Sequence, residues 1–132
     1  MPAFSRELKL RRALHEVKDD YDYMIIDCPP SLGLLTVNGL AAADDVIVPI
    51  QCEYYALEGL SQLLRNIELI RNHLNPRLHV STILLTMYDG RTRLASQVAD
   101  EVRRPFGTRV LRTVIPRSVR VSEAPSYAQT VL

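Results

Sequence analysis

The stretch YDYMIIDCPPSLGLLTVNG, Tyr21 to Gly39, restricts the possible folds more than any other part of the chain. Tyr23 to Ile26 is a short run of apolar, β-forming residues, which predicts a buried strand. It stops on a carboxylate, Asp27, and Pro29 and Pro30 follow. Neither proline can donate to a sheet ladder, and Pro30 keeps Pro29 extended, so the strand has to end there. Ser31 is placed to cap an apolar helix over Leu32 to Ala43. Open α/β sheets bind their ligands beyond the carboxyl ends of their strands, where such an acid, turn and helix start would lie. Asp27 is therefore the first candidate for chemistry.

The rest of the chain alternates helix and strand patterns. Phe4, Leu8, Ala13, Leu14 and Val17 predict an amphipathic helix over about Ser5 to Lys18. Asp19, Asp20 and Asp22 form an acidic turn before the first strand. Asp44 and Asp45 break the next helix, and Val46 to Ile50 reads as a second strand. Leu57 to Leu74 is a long helix by period, stopped by Asn75-Pro76. A third strand is expected over Val80 to Thr86 and a loop over Met87 to Arg91. Leu94, Val98, Ala99, Val102 and Phe106 mark another helix, ended by Gly107. Val110 to Ile115 reads as a fourth strand closed by Pro116, and the tail from Arg117 as loop with a short helical turn. This order predicts an α/β fold, a mostly parallel sheet with flanking helices. At 132 residues the chain has room for one domain with one continuous core.

With 47% hydrophobic and 23% charged residues, the composition is that of a folded globular chain. No apolar run approaches the roughly 18 residues of a membrane span, and the charged segment directly after Ser5 argues against a secretory signal. Cys28 and Cys52 have no metal-ligand spacing, fit a reducing compartment, and are expected to be buried small residues. The net charge of +1 hides an asymmetry: residues 1–76 hold 7 Lys/Arg against 11 Asp/Glu, and residues 77–132 hold 9 Arg against 4 Asp/Glu. A half made basic by arginine alone suits phosphate or carboxylate partners.

Two readings stand beside each candidate. Asp27 can hold magnesium through water and help order an attacking water at a nucleotide phosphate, or it can simply cap the following turn. Spacing alone favours the cap. A triphosphate normally needs a loop of the form GxxxxGK[ST], and this sequence has none: no lysine follows Gly33, Gly39, Gly59, Gly90 or Gly107, and Lys9 and Lys18 are its only lysines. Arg91, Arg93, Arg117 and Arg120, with Arg103, Arg104, Arg109 and Arg112, form either a patch for nucleic-acid backbone or a scattered, solvated surface with ion pairs to Asp100, Glu101 and Glu123. His15, His73 and His79 read as structural, and Tyr54-Tyr55 as packing.

Taken together, YDYMIIDCPPSLGLLTVNGL, VPIQCEYYALEGLSQLL, ILLTMYDGRT, QVADEVRRPFG and TVIPRSVRVSEAPSYAQTVL resemble the ParA/Soj chromosome- and plasmid-partition ATPases, relatives of MinD with a deviant Walker A loop. DCPPSLG and IPRSVRVSEAPS are the most specific matches. The resemblance covers nearly the whole chain from Ser5. It implies a single partial ParA-like nucleotide-binding domain over 1–132, of the AAA_31/CbiA type, with an incomplete P-loop NTPase fold that lacks the P-loop strand.

By that resemblance Asp27 is the Walker B carboxylate on Mg²⁺, held through water. Pro29, Pro30 and Gly33 belong to the switch segment that senses the γ-phosphate. Thr86, Met87, Pro116, Arg117 and Ser118 lie along the adenine, and Arg91 and Arg120 hold non-specific DNA. Family members bind ATP and Mg²⁺, pair into homodimers, associate with the nucleoid in the cytoplasm and answer to a ParB-type partner, with no membrane involved. Because the phosphate loop falls outside the matched stretches, little turnover is expected of this chain alone. A non-catalytic DNA- or partner-binding module using the Arg91/Arg120 rim is the alternative. The missing strand predicts that Tyr23–Ile26 and Val46–Ile50 either pair directly or leave an uncovered edge.

Overall fold

A computed structural model describes residues 3–29 and 31–131, with side-chain surroundings from residue 6 onward. Two compact units are present, Met1–Val46 with Ser61–Ser81, and Ile47–Leu60 with Thr82–Leu132.

In the first unit the expected helix over Ser5 to Lys18 is broken into a 3-10 turn Ala3–Leu8, helix α1 (Lys9–His15) and a 3-10 turn Lys18–Asp20. The cause of the first break is a side chain. In an unbroken α-helix the Leu10 amide would donate to the Arg6 carbonyl. Here the amide of Asn38 stands between them, accepting from Leu10 N at 3.2 Å and donating to Arg6 O at 2.9 Å. A polar group inserted into the backbone ladder is a recognised way to break a helix.

Asn38 lies on helix α2 (Leu34–Ala42), which starts two residues later than expected. Its N-cap is Gly33, in extended conformation, and Ser31 makes no cap. The Thr36 hydroxyl instead donates to the Pro29 carbonyl at 3.4 Å, tying the turn back onto the helix. At the other end, Asn75 Nδ2 donates to the carbonyls of Leu40 (3.0 Å), Ala41 (3.2 Å) and Ala43 (2.7 Å). One buried side chain thus meets acceptors that a helix end leaves without partners.

Tyr21 to Pro29 runs alongside α2 but is not a strand, contrary to expectation. A strand exists only where a neighbour completes its ladder, and none does so among the described residues. The period of two survives without the ladder. Tyr23 and Ile25 are 88% and 95% exposed, whereas Ile26 and Cys28 lie against Gly39. A Cβ on Gly39 would stand 2.7 Å from Cys28 Sγ and 3.4 Å from Ile26 Cγ2, so the close approach requires glycine. Cys28 is exposed as a residue, not buried as expected, and Cys52 is buried.

The sheet has three strands among the described residues: β1 (Asp45–Gln51), β2 (His79–Tyr88) and β3 (Val110–Pro116), in the order β1-β2-β3 with β2 and β3 parallel. β1 is therefore an edge, the uncovered edge of the second alternative above. Helix α3 (Ala56–His73) matches its expected span closely. Helix α4 (Arg93–Phe106) is capped by Thr92, whose hydroxyl accepts from Ala95 N at 3.2 Å, and it ends at Gly107 with φ 54°. The tail forms a short helix α5 (Val119–Glu123) and a 3-10 turn Ala124–Tyr127.

The core of the second unit is Val48, Ile50, Leu60, Ile83, Leu85, Val98, Ala99, Val102 and Val110; that of the first includes Leu40, Ala41, Ile67, Ile70 and Leu78. Among the described residues no helix is long and apolar enough to cross a membrane.

Candidate functional site

Asp27 ends the extended segment, exposed to solvent and without a hydrogen bond or ion pair to protein among the described residues. Its following residues do not supply one: Pro29 gives its carbonyl to Thr36, and Gly33 opens α2. A Cβ on Gly33 would meet nothing within 4 Å, so neither φ nor packing explains that glycine. Pro30 lies outside the described residues. Burial raises the Cys28 thiol pKa and the adjacent Asp27 carboxylate raises it further, which disfavours a thiolate nucleophile here. No group of three or more His, Cys, Asp or Glu among the described residues could hold a metal. A single free carboxylate does fit Mg²⁺, which keeps several waters and takes one or two carboxylates plus substrate phosphates.

In the second unit the residues expected along an adenine lie around an irregularity in the sheet. β2 and β3 pair as Ile83↔Val110, Leu85↔Val114 and Tyr88↔Pro116, with register shifts between each. From Leu85 to Tyr88 β2 advances three residues while β3 advances two. Met87, at φ 52°, lies in this interval and takes a left-handed conformation that is uncommon for residues other than glycine. Such bulges re-aim side chains and recur beside active sites. Thr86 and Met87 were expected at the strand end and the loop; both belong to β2, which runs on to Tyr88.

The Arg117 amide donates to the Tyr88 carbonyl at 3.0 Å, and the Cys52 amide to Thr86 at 3.0 Å. Met87 and Arg117, with Cys52, Asp89 and Thr92, line a hollow of about 190 Å³. Pro116 closes β3 and Ser118 precedes α5, its carbonyl accepting from the Ser122 amide and hydroxyl, both at 3.2 Å. Burial raises the Cys52 thiol pKa, against a lowering by Arg103.

The arginines behave unequally. Arg120 is exposed on α5. Arg91 is gripped by Asp89, with Nε 2.9 Å from Oδ1, Nη2 3.0 Å from Oδ2 and its amide 3.1 Å from Oδ1. These bonds, helped by Arg117, hold the Asp89 carboxyl at about 2 instead of the usual 3.8. Sequence reasoning assigned the acidic partners to Asp100, Glu101 and Glu123 and missed Asp89, although the Asp-x-Arg spacing in a turn was the available signal. Tyr54 and Tyr55 are 77% and 71% exposed, their rings edge to face at 5.1 Å, so they are not core packing.

A family model described as AAA_31, an AAA domain, matches residues 1–80. Over 132 residues the chain is 58% identical to the sporulation initiation inhibitor protein Soj of Bacillus subtilis, covering 100% of this chain and 52% of Soj. It is 56% identical to the chromosome partitioning protein ParA of Myxococcus xanthus, over 97% of this chain and 45% of that one. The chain thus spans about half the length of the curated relatives it matches.

Among solved structures it is similar to cobyrinic acid a,c-diamide synthase of Mycobacterium smegmatis with bound ATP analogue and magnesium, at TM-score 0.79 and 47% identity, over 89% of this chain and 48% of that one. It is also similar to a plasmid partition protein of Borrelia burgdorferi, at TM-score 0.70 and 26% identity, over 85% and 45%. On these matches the chain belongs to the AAA_31 family, among the Soj/ParA chromosome-partitioning proteins.

Proposed function

We propose that residues 1–132 form one partial nucleotide-binding domain of an ATP-dependent chromosome-partitioning protein, with Asp27 as its Walker B carboxylate. The observation that carries this reading is the free, exposed carboxylate at the end of an extended segment, immediately before the turn into α2. Asp27 would hold Mg²⁺ through water. Held there, Mg²⁺ would supply charge neutralisation at the phosphates. The Pro29–Gly33 turn would respond to the γ-phosphate through the helix it opens. Met87 and Arg117 would lie along the adenine, with Thr86, Pro116 and Ser118 setting the two strand ends around them.

The bound ATP analogue and magnesium of the Mycobacterium smegmatis protein support the choice of ligands. The family resemblance supports the rest: a homodimer on the nucleoid in the cytoplasm, non-specific DNA held by Arg91 and Arg120, and release by a ParB-type partner. Since no phosphate-cradling loop is encoded in these residues, the chain alone should show no appreciable ATP turnover.

The test is a chimera in which this chain replaces the matched region of Bacillus subtilis Soj, made feasible by 58% identity. The chimera should hydrolyse ATP, and Asp27→Ala should cut the rate by about a hundredfold or more. Unchanged hydrolysis in Asp27→Ala would sink the assignment, and Asp27-dependent turnover by the chain alone would overturn the expectation of inactivity.

A further inference from the structure

The first unit contains a second polar hollow, of about 240 Å³, which none of the residues assigned above lines. Its wall carries Arg11, His15, Lys18 and Arg77, with Asp44 as its one carboxylate. Arg11 and His15 are i, i+4 neighbours on α1, and Lys18 opens the turn that follows. None of these four side chains has a side-chain ion pair or hydrogen bond among the described residues.

The plain explanation is that cations gather at the carboxyl end of α2 to balance its dipole. That end is already served, because Asn75 donates to Leu40, Ala41 and Ala43. Three permanently charged side chains, all exposed, therefore line one hollow with a single carboxylate. A phosphate group, carrying roughly −1.5 to −2 at neutral pH, matches the balance that remains. Arginine forks suit its oxygens. The volume is below the roughly 300–1,000 Å³ of pockets for drug-sized ligands, and so fits a phosphate head better than a whole nucleotide.

We propose that the hollow walled by Arg11, Lys18 and Arg77 binds a phosphate group, free or esterified. The test follows backbone amide shifts of the full chain during titration with sodium phosphate, against sodium chloride at equal ionic strength. Saturable shifts at Arg11, Lys18 and Arg77 are expected, weakened about tenfold or more by Arg77→Gln and strengthened by Asp44→Asn. A parallel titration with a short DNA duplex separates the sources: weakening by Arg77→Gln there as well points to backbone phosphates, whereas weakening for inorganic phosphate alone points to a small phosphate ligand. No saturation, or affinities unmoved by both substitutions, would overturn the proposal. Asp44→Asn, an exposed change with a predicted gain, keeps the test decisive if Arg77→Gln fails to fold.

Discussion

Asp27 and Asp89 each follow an extended run in one of the two units, and they are held in opposite ways. Asp89 sits just after a laddered strand and is clasped by the Arg91 side chain and amide, so its charge is already committed. Asp27 lies in a segment with no ladder among the described residues, which meets α2 through Ile26 and Cys28, and its carboxylate is left to solvent. A carboxylate that makes no bonds at home adds little to stability and remains available for an outside cation. One tied to a neighbouring guanidinium is a structural part of its turn. The contrast separates two aspartates that look alike in the sequence.

The strongest way to break this contrast is to remove what supports α2. Asn75→Ala leaves the Leu40, Ala41 and Ala43 carbonyls without their donor, and Asn75 itself is buried. A loss of about 2–3 kcal/mol is expected, read by urea denaturation, while the Asp89 titration should stay near 2. Next comes Gly39→Ala, whose new methyl would lie 2.7 Å from Cys28 Sγ. Overpacking of this kind costs about 1–3 kcal/mol, partly offset by a better helix residue. Cys28→Ala in the same chain should restore most of the loss, a coupling that a double-mutant cycle measures.

The smallest effect sharpens the Asp89 side. Arg91→Ala should let the Asp89 carboxyl rise from about 2 towards 3.8, followed by carbon-detected titration. The folded-state pKa is the depressed one. The pair's contribution is therefore complete above the unfolded value of about 4 and is lost as the pH falls through about 2. Because the Arg91 side of the pair is exposed to solvent, the melting temperature at neutral pH should hardly move.

Much of the fold was legible because its signals are local. The apolar periods of α3 and α4, the Gly107 stop and the Pro116 strand end all lie within the elements they define. What escaped depends on partners elsewhere in the chain. Tyr23–Ile26 has the composition of a strand, yet a strand is a property of two segments and not of one. Asn38 splits the first helix from 28 residues away from Leu10, and Asn75 finishes α2 from 35 residues away from Leu40. No sequence pattern announces such bonds. Around Asp27, the end of the extended run was legible from the prolines. The left-handed turn at Met87 was not, since methionine gives no hint of a positive φ.

Tyr21 to Pro29 leaves one further mark on the protein. A run without helix or ladder, touching a helix through Ile26, Cys28 and Pro29 while Tyr23 and Ile25 stand bare, has the shape that a protease cleft or a passing strand from another molecule grips. The arrangement that delivers Asp27 to water thus also makes this stretch the point where handling matters most. Dilution and speed during purification protect the peptide bonds of this stretch.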